Sequence, residues 1–138
     1  MTAAVADLYP TRNSNVHGLL HFRVTEQGLL IRGNVTGLVA GLYAFGIHEK
    51  GDCSSFDGKS AGGYFVGSRG GPSPLGQLEN LTLEHPEKGD VQRVEPALSL
   101  SGPDSIVGKS VVVEAWPYDP KVDTSKVPYV ACGVIRAE

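Results

Sequence analysis

Cysteine is scarce in this chain: Cys53 and Cys132 are its two thiols, and 79 positions separate them. That spacing excludes a CxxC metal knuckle and a local redox pair. It leaves open a bridge across the fold or two free thiols, and closing so long a loop would stabilise by about 4 kcal/mol in the chain-entropy model. Long apolar runs are also missing, with none approaching the ~20 residues of a spanning helix. The opening MTAAVADLYP lacks the basic and apolar regions of a signal peptide. The chain is therefore expected to be soluble with no membrane partner, and cytoplasmic, or extracellular if it is a trimmed piece. Positive charge is limited, with 12 Lys and Arg against 15 Asp and Glu, a net charge of −3 and a sequence pI of about 5.8. No run of basic residues is long enough to neutralise a row of phosphates, so nucleic acid is not an expected partner. Internal repeats, low-complexity tracts and helix-period segments are absent as well.

What is present is turn chemistry and short apolar alternation. Eighteen glycines and nine prolines punctuate runs rich in Val, Ile, Leu and Tyr, which is the pattern of an all-β chain. The runs are residues 3–9, 16–24, 29–35, 42–49, 78–84, 91–98, 110–116 and 129–137. Eight short strands fit a sandwich or a closed barrel. The length and the 41% hydrophobic content suit one domain, residues 1–138. Tight joins at TEQGLL and TGLVAGL predict antiparallel neighbours. Two long connections, residues 50–77 and 117–128, are the expected functional loops.

Alternation in the fourth run puts Tyr43, Phe45 and Ile47 on the core face and Leu42, Ala44, Gly46 and His48 on the other. His48 thus points away from the main core, towards whatever the loops cover. Gly46, two positions back on that face, offers no ligand atom and leaves a hole.

The stretches FGIHEKGDC, SAGGYF, RGGP, LSLSGPDSIVGKSVVV and ACGVI, in that order, make the chain resemble copper/zinc superoxide dismutase over nearly its whole length. The resemblance implies an eight-stranded, flattened Greek-key β-barrel with two long loops, and a disulfide between Cys53 and Cys132. It also implies where the metal ligands should stand. The family's HVH copper pair falls on Gly46 and His48, so one of the two histidines remains. The histidine that bridges copper and zinc falls on Tyr64, and the last copper histidine on Glu114. Zinc positions fall on Arg69, Pro74 and Gln77, none of which offers the imidazole or carboxylate that zinc takes. The guiding arginine before the final cysteine falls on Tyr129. Asp119, Lys121, Asp123 and Lys126 roughly cancel in the second loop, so anion steering is not expected there.

A redox-cycling copper needs several imidazoles, and one histidine does not hold it. The chain is therefore expected to lack dismutase activity and a cofactor. Its expected role is that of a non-catalytic barrel that dimerises or docks on a superoxide dismutase-like subunit. It would be either a domain like that of the copper chaperone for superoxide dismutase or an independent pseudoenzyme. By resemblance, residues 51–53 and 134–136 would contribute to a dimer interface. The alternative is a rebuilt site of His48, Tyr64 and Glu114 that binds copper, iron or zinc weakly, in a metal-binding protein or oxidoreductase. A third reading is an extracellular structural or carrier protein with sugars at the sequons of Asn34 and Asn80, which are otherwise expected to be unmodified. His48 itself reads most simply as a histidine held by a neighbouring carbonyl. His17 and His21 fall on one strand and are too far apart to share a metal. His85 reads as a solvent-exposed turn residue. Trp116 either plugs the vacated copper space or anchors an interface.

Overall fold

The computed structural model of the protein describes residues 2–11, 14–68, 74–84, 89–123 and 126–138. Among these residues ten strands follow one another: β1 (Ala3–Pro10), β2 (His17–Thr25), β3 (Gly28–Thr36), β4 (Gly41–Tyr43), β5 (Phe45–His48), β6 (Leu81–Leu83), β7 (Asp90–Glu95), β8 (Ser110–Glu114), β9 (Tyr129–Val134) and β10 (Arg136–Ala137). One turn of 3-10 helix, Lys59–Ala61, lies in the first long loop. The principal sheet runs β5-β8-β9-β1-β2-β3-β7, with β10 beside β1, while β4 and β6 form a separate pair. Every strand pairing is antiparallel. The chain leaves β3 for β4 and β5 at the far edge, returns through β6 to place β7 beside β3, then crosses again to set β8 beside β5. Those two crossings make the Greek key, and the sheet curls into a half-barrel around its core, as expected for an all-β chain of this kind.

Period-two alternation builds that core. On β2, Leu20 and Phe22 turn inward and are buried, while Leu19, His21 and Arg23 face out. Phe45 and Ile47 of β5 meet Val111 and Val113 of β8 in the same interior, with Ile106 and Leu100 from the preceding loop. Burying each such side chain contributes about 1.5–3 kcal/mol, which offsets the ordering of many short strands.

Four sequence expectations need correction. The run 42–49 is two strands, because Ala44 leaves the β4 pairing with β6 and bonds across to Trp116 and Glu114 instead. The run 129–137 also divides, since Ile135 turns its backbone N–H to Lys109 before β10 begins. The run 78–84 pairs only over Leu81–Leu83. TGLVAGL does not make an antiparallel hairpin: β3 pairs with β2 and β7, and β4 with β6. Gly37 is the cause, with φ +90° and no room for a Cβ, which would lie 2.2 Å from the Asn15 carbonyl oxygen. That left-handed position lets the chain turn across the barrel end rather than back on itself.

Candidate functional site

Both faces of the β5-β8 pair are buried. Residues between the inward-facing Phe45, Ile47, Val111 and Val113 point outward, namely Gly46 and His48 on β5 and Ser110 and Val112 on β8. On β9, Cys132 stands opposite Val112. The first long loop covers this outer face. It is pinned by the Cys53–Cys132 disulfide, by hydrogen bonds from Glu49 N–H to the Gly63 carbonyl and from Lys50 N–H to the Ala61 carbonyl, and by a bridge pairing His48 with Tyr64. Ala61, Val112, Tyr129 and Cys132 form a second, smaller core beneath it.

Under this cover His48 is 0% exposed and Glu114 1% exposed. The His48 Nδ1 lies 2.7 Å from the Gly62 carbonyl oxygen. A carbonyl only accepts, so Nδ1 carries the hydrogen and Nε2 presents its lone pair. Burial pushes the imidazole pKa down to about 4, against a smaller raising effect of the Gly62 hydrogen bond, and nearby Lys59 lowers it further. The ring is therefore neutral at physiological pH. Tyr64 stacks tilted on it at 4.8 Å, Tyr129 meets it edge-on at 5.0 Å, and Tyr118 meets Tyr64 at 6.2 Å. The Tyr64 hydroxyl donates to Glu114 Oε2 at 2.9 Å, and the Tyr129 hydroxyl donates to the same Gly62 carbonyl at 3.0 Å. Burial raises the pKa values of Tyr64, Tyr129 and Glu114, so both phenols stay protonated. His48 Nε2, Glu114 Oε1 and Ser110 Oγ are buried without a hydrogen-bond partner.

The structure thus brings His48, Tyr64 and Glu114 together. It fills the hole expected at Gly46: a Cβ there would lie 2.4 Å from the Gly76 carbonyl oxygen and 2.8 Å from Cε1 of Tyr64. Only glycine fits, because the Tyr64 ring and the loop backbone occupy that space. Gln77 meets Gly46 through a backbone bridge, Pro74 is half-buried in the loop, and Arg69 lies outside the described residues. Trp116 does not plug the space, since it is 49% exposed; Tyr64 and Tyr129 fill it. The copper and zinc pair of the resemblance does not fit this donor set. One imidazole lone pair and one carboxylate oxygen are available, and the tyrosine oxygens keep their protons. Among the described residues no group of three or more His, Cys, Asp or Glu side chains is gathered to hold a metal.

Sequence reasoning missed the second histidine wall and its cation. Tyr129 was legible only as a replaced arginine, and Lys59, whose ammonium lies 3.7 Å over the Tyr129 ring, carried no local signal. The other candidates lie apart from this cluster. His17 Nδ1 sits 3.0 Å from the Asn15 carbonyl oxygen, and His21 pairs with Glu138 at 3.5 Å. His85 lies outside the described residues. Asn34 is exposed on β3, whereas the Asn80 Oδ1 accepts the backbone N–H of Tyr118 at 3.0 Å. Asp119, Lys121, Asp123 and Lys126 are exposed on the second loop. No helix among the described residues is long and apolar enough to cross a membrane.

The family model described as copper/zinc superoxide dismutase (SODC) matches residues 16–135. The extracellular superoxide dismutase (Cu-Zn) of Brugia pahangi is 30% identical over 121 residues, 83% of this chain and 60% of that protein. Its namesake in Caenorhabditis elegans is 38% identical over 105 residues, 70% of this chain and 46% of that protein. The chain spans about half the length of these relatives. A match over most of the chain, on a Greek-key half-barrel whose first loop is tied by Cys53 and Cys132 over the β5-β8-β9 face, places this protein in the copper/zinc superoxide dismutase family.

Proposed function

We propose that this chain is a non-catalytic member of its family, a barrel that works by docking on a second copy of itself or on a superoxide dismutase-like subunit. The observation that carries this reading is the Tyr64 ring seated against Gly46. A side chain at position 46 has no room beside it, and the tyrosine that replaces the bridging imidazole keeps its proton by burial and by the Glu114 hydrogen bond. Dismutation alternates a metal between two oxidation states, which several fixed donors must hold. Here the position of one such donor, Gly46, is closed by the Tyr64 ring and the Gly76 carbonyl.

A docking surface is available where the resemblance puts an interface. A groove of about 300 Å³ runs past the disulfide between Tyr9 and Val134. Tyr9 is 64% exposed and Val134 38% exposed, and the Asp7–Arg136 ion pair at 2.9 Å closes one side. A large amphipathic ring beside an apolar groove with a charged rim is the composition of a small interface core. A chaperone-type partner and a second copy are told apart by measurement. Sedimentation velocity at about 100 µM should show a dimer, or a mixed complex with an added copper/zinc superoxide dismutase subunit, that Tyr9→Asp abolishes. A monomer with no mixed complex would sink the docking reading. The names of both relatives favour an extracellular setting over a cytoplasmic one, which secretion of the full-length product would test.

A second reading has its own observation. His48 Nε2 and Glu114 Oε1 are buried and unpartnered in the same aromatic box, and a buried lone pair without a partner is an invitation to a water or a weakly held cation. Elemental analysis of protein made with copper, zinc and iron supplied distinguishes the two. Below about 0.1 metal per chain favours the docking module, while near one metal per chain, lost in His48→Ala, favours a rebuilt site.

A further inference from the structure

We infer that the outer face of β2 and β3 carries a binding groove for a small organic oxyanion, a phosphate ester or carboxylate on a compact apolar body, held between Arg23 and Arg32. The groove encloses about 490 Å³ and is lined by His21, Arg23, Leu30, Arg32, Ala3 and Glu138, with backbone from its neighbours. That volume lies in the range of small-ligand sites.

Pairing register brings the basic groups together. His21 stands directly opposite Arg32, and Arg23 opposite Leu30, so the two arginines are diagonal neighbours about 7–8 Å apart at the backbone. Guanidiniums at that separation can close on one oxyanion from both sides, each through two parallel N–H donors. Neither guanidinium has a hydrogen bond or ion pair with any described residue. The acidic side chain lining the groove, Glu138, is engaged with His21 at 3.5 Å. Two arginines beside one carboxylate give the groove a positive excess, on a chain whose net charge is −3. A bound anion would offset that excess.

The surroundings narrow the ligand. Half-buried Leu30 and Ala3 give the groove an apolar floor larger than inorganic phosphate covers. An adjoining hollow of about 290 Å³ shares Arg32 and adds Gln92 and Asp90. Gln92 stands opposite Arg32 on β7 and offers an amide to a hydroxyl or carbonyl of the ligand. Asp90 at the far end disfavours a second anionic group, so the ligand is anionic at one end only. Two arginines in a concavity suit a compact ligand, whereas a polyanion needs a longer basic stripe.

The test is amide-resolved NMR titration of the full chain with phenyl phosphate and with inorganic phosphate, each against chloride at matched ionic strength. Saturable shifts confined to β2, β3 and the start of β7 are expected, with phenyl phosphate binding about tenfold tighter than phosphate because of the apolar floor. Arg23→Gln with Arg32→Gln, both exposed positions that leave folding intact, should weaken binding about tenfold or more. No saturation by about 20 mM, or equal affinity in the double variant, would overturn the inference. Binding to phosphatidylglycerol vesicles without saturable binding of the free ester would also overturn it, by assigning the arginines to a lipid surface.

Discussion

The inner and outer faces of the β5-β8 pair are built from the same two strands and are both buried, yet they are held by different forces. The inner face is aliphatic and aromatic, and Phe45, Ile47, Val111 and Val113 lock into the main core. The outer face carries His48, Ser110 and Glu114, buried polar side chains with unpartnered atoms, under a loop that a disulfide ties down. Packing density sustains the first face, while the second depends on one covalent link and a few directional bonds. Burial by itself therefore does not mark a core; what encloses a face decides how it responds to perturbation.

The largest expected effect breaks the inner face. Phe45→Ala should destabilise by about 3–5 kcal/mol in urea unfolding, since it removes a fully buried ring and leaves a cavity in a close-packed core. Opening the disulfide should cost about 2–4 kcal/mol. It should act first on the outer face, so that hydrogen exchange at Ala61 and Gly62 accelerates while β2 and β3 stay protected. Equal acceleration across the molecule would mean that the two faces unfold as one unit.

Acid should separate the faces further. The His48 imidazole titrates near 6.5 when unfolded and about 4 when folded, so between those values the unfolded chain binds the extra proton. Stability is present in full above pH 6.5 and falls as pH is lowered to about 4, by about 3 kcal/mol from this group. Glu114 acts in the opposite sense, because its folded pKa is raised by burial: protonation favours the folded state as pH falls through that raised value. The difference between the parent and His48→Gln isolates the histidine, and a stability difference that does not change between pH 7 and 4 would contradict the buried neutral ring. Tyr64→Phe is the mildest of these changes. It leaves Glu114 Oε2 without its donor and should cost about 1–3 kcal/mol, visible as a lower urea midpoint with unchanged slope.

Much of this was legible in the residues, for reasons that are local. Alternation assigned Phe45 and Ile47 inward and His48 outward, since side-chain direction in a strand follows from parity alone. The break at Ala44 was not legible, because a residue that ends one pairing and begins another looks the same in sequence as one that continues a strand. The misread join at Gly37 has the same origin: a glycine announces backbone freedom, and only its approach to the Asn15 carbonyl says which way the chain uses it.

The sequence by itself determined the all-β class and the outward set of His48, because composition and two-residue periodicity are properties of neighbouring positions; the loss of most imidazole ligands is what the resemblance to the family implies. Tertiary structure alone decided that Tyr64 seats on Gly46, that Tyr129 and Tyr118 complete an aromatic box, and that Arg23 and Arg32 converge on one groove. Those outcomes depend on the path of a loop and on strand register, which bring together residues many positions apart, and no local pattern encodes such distances.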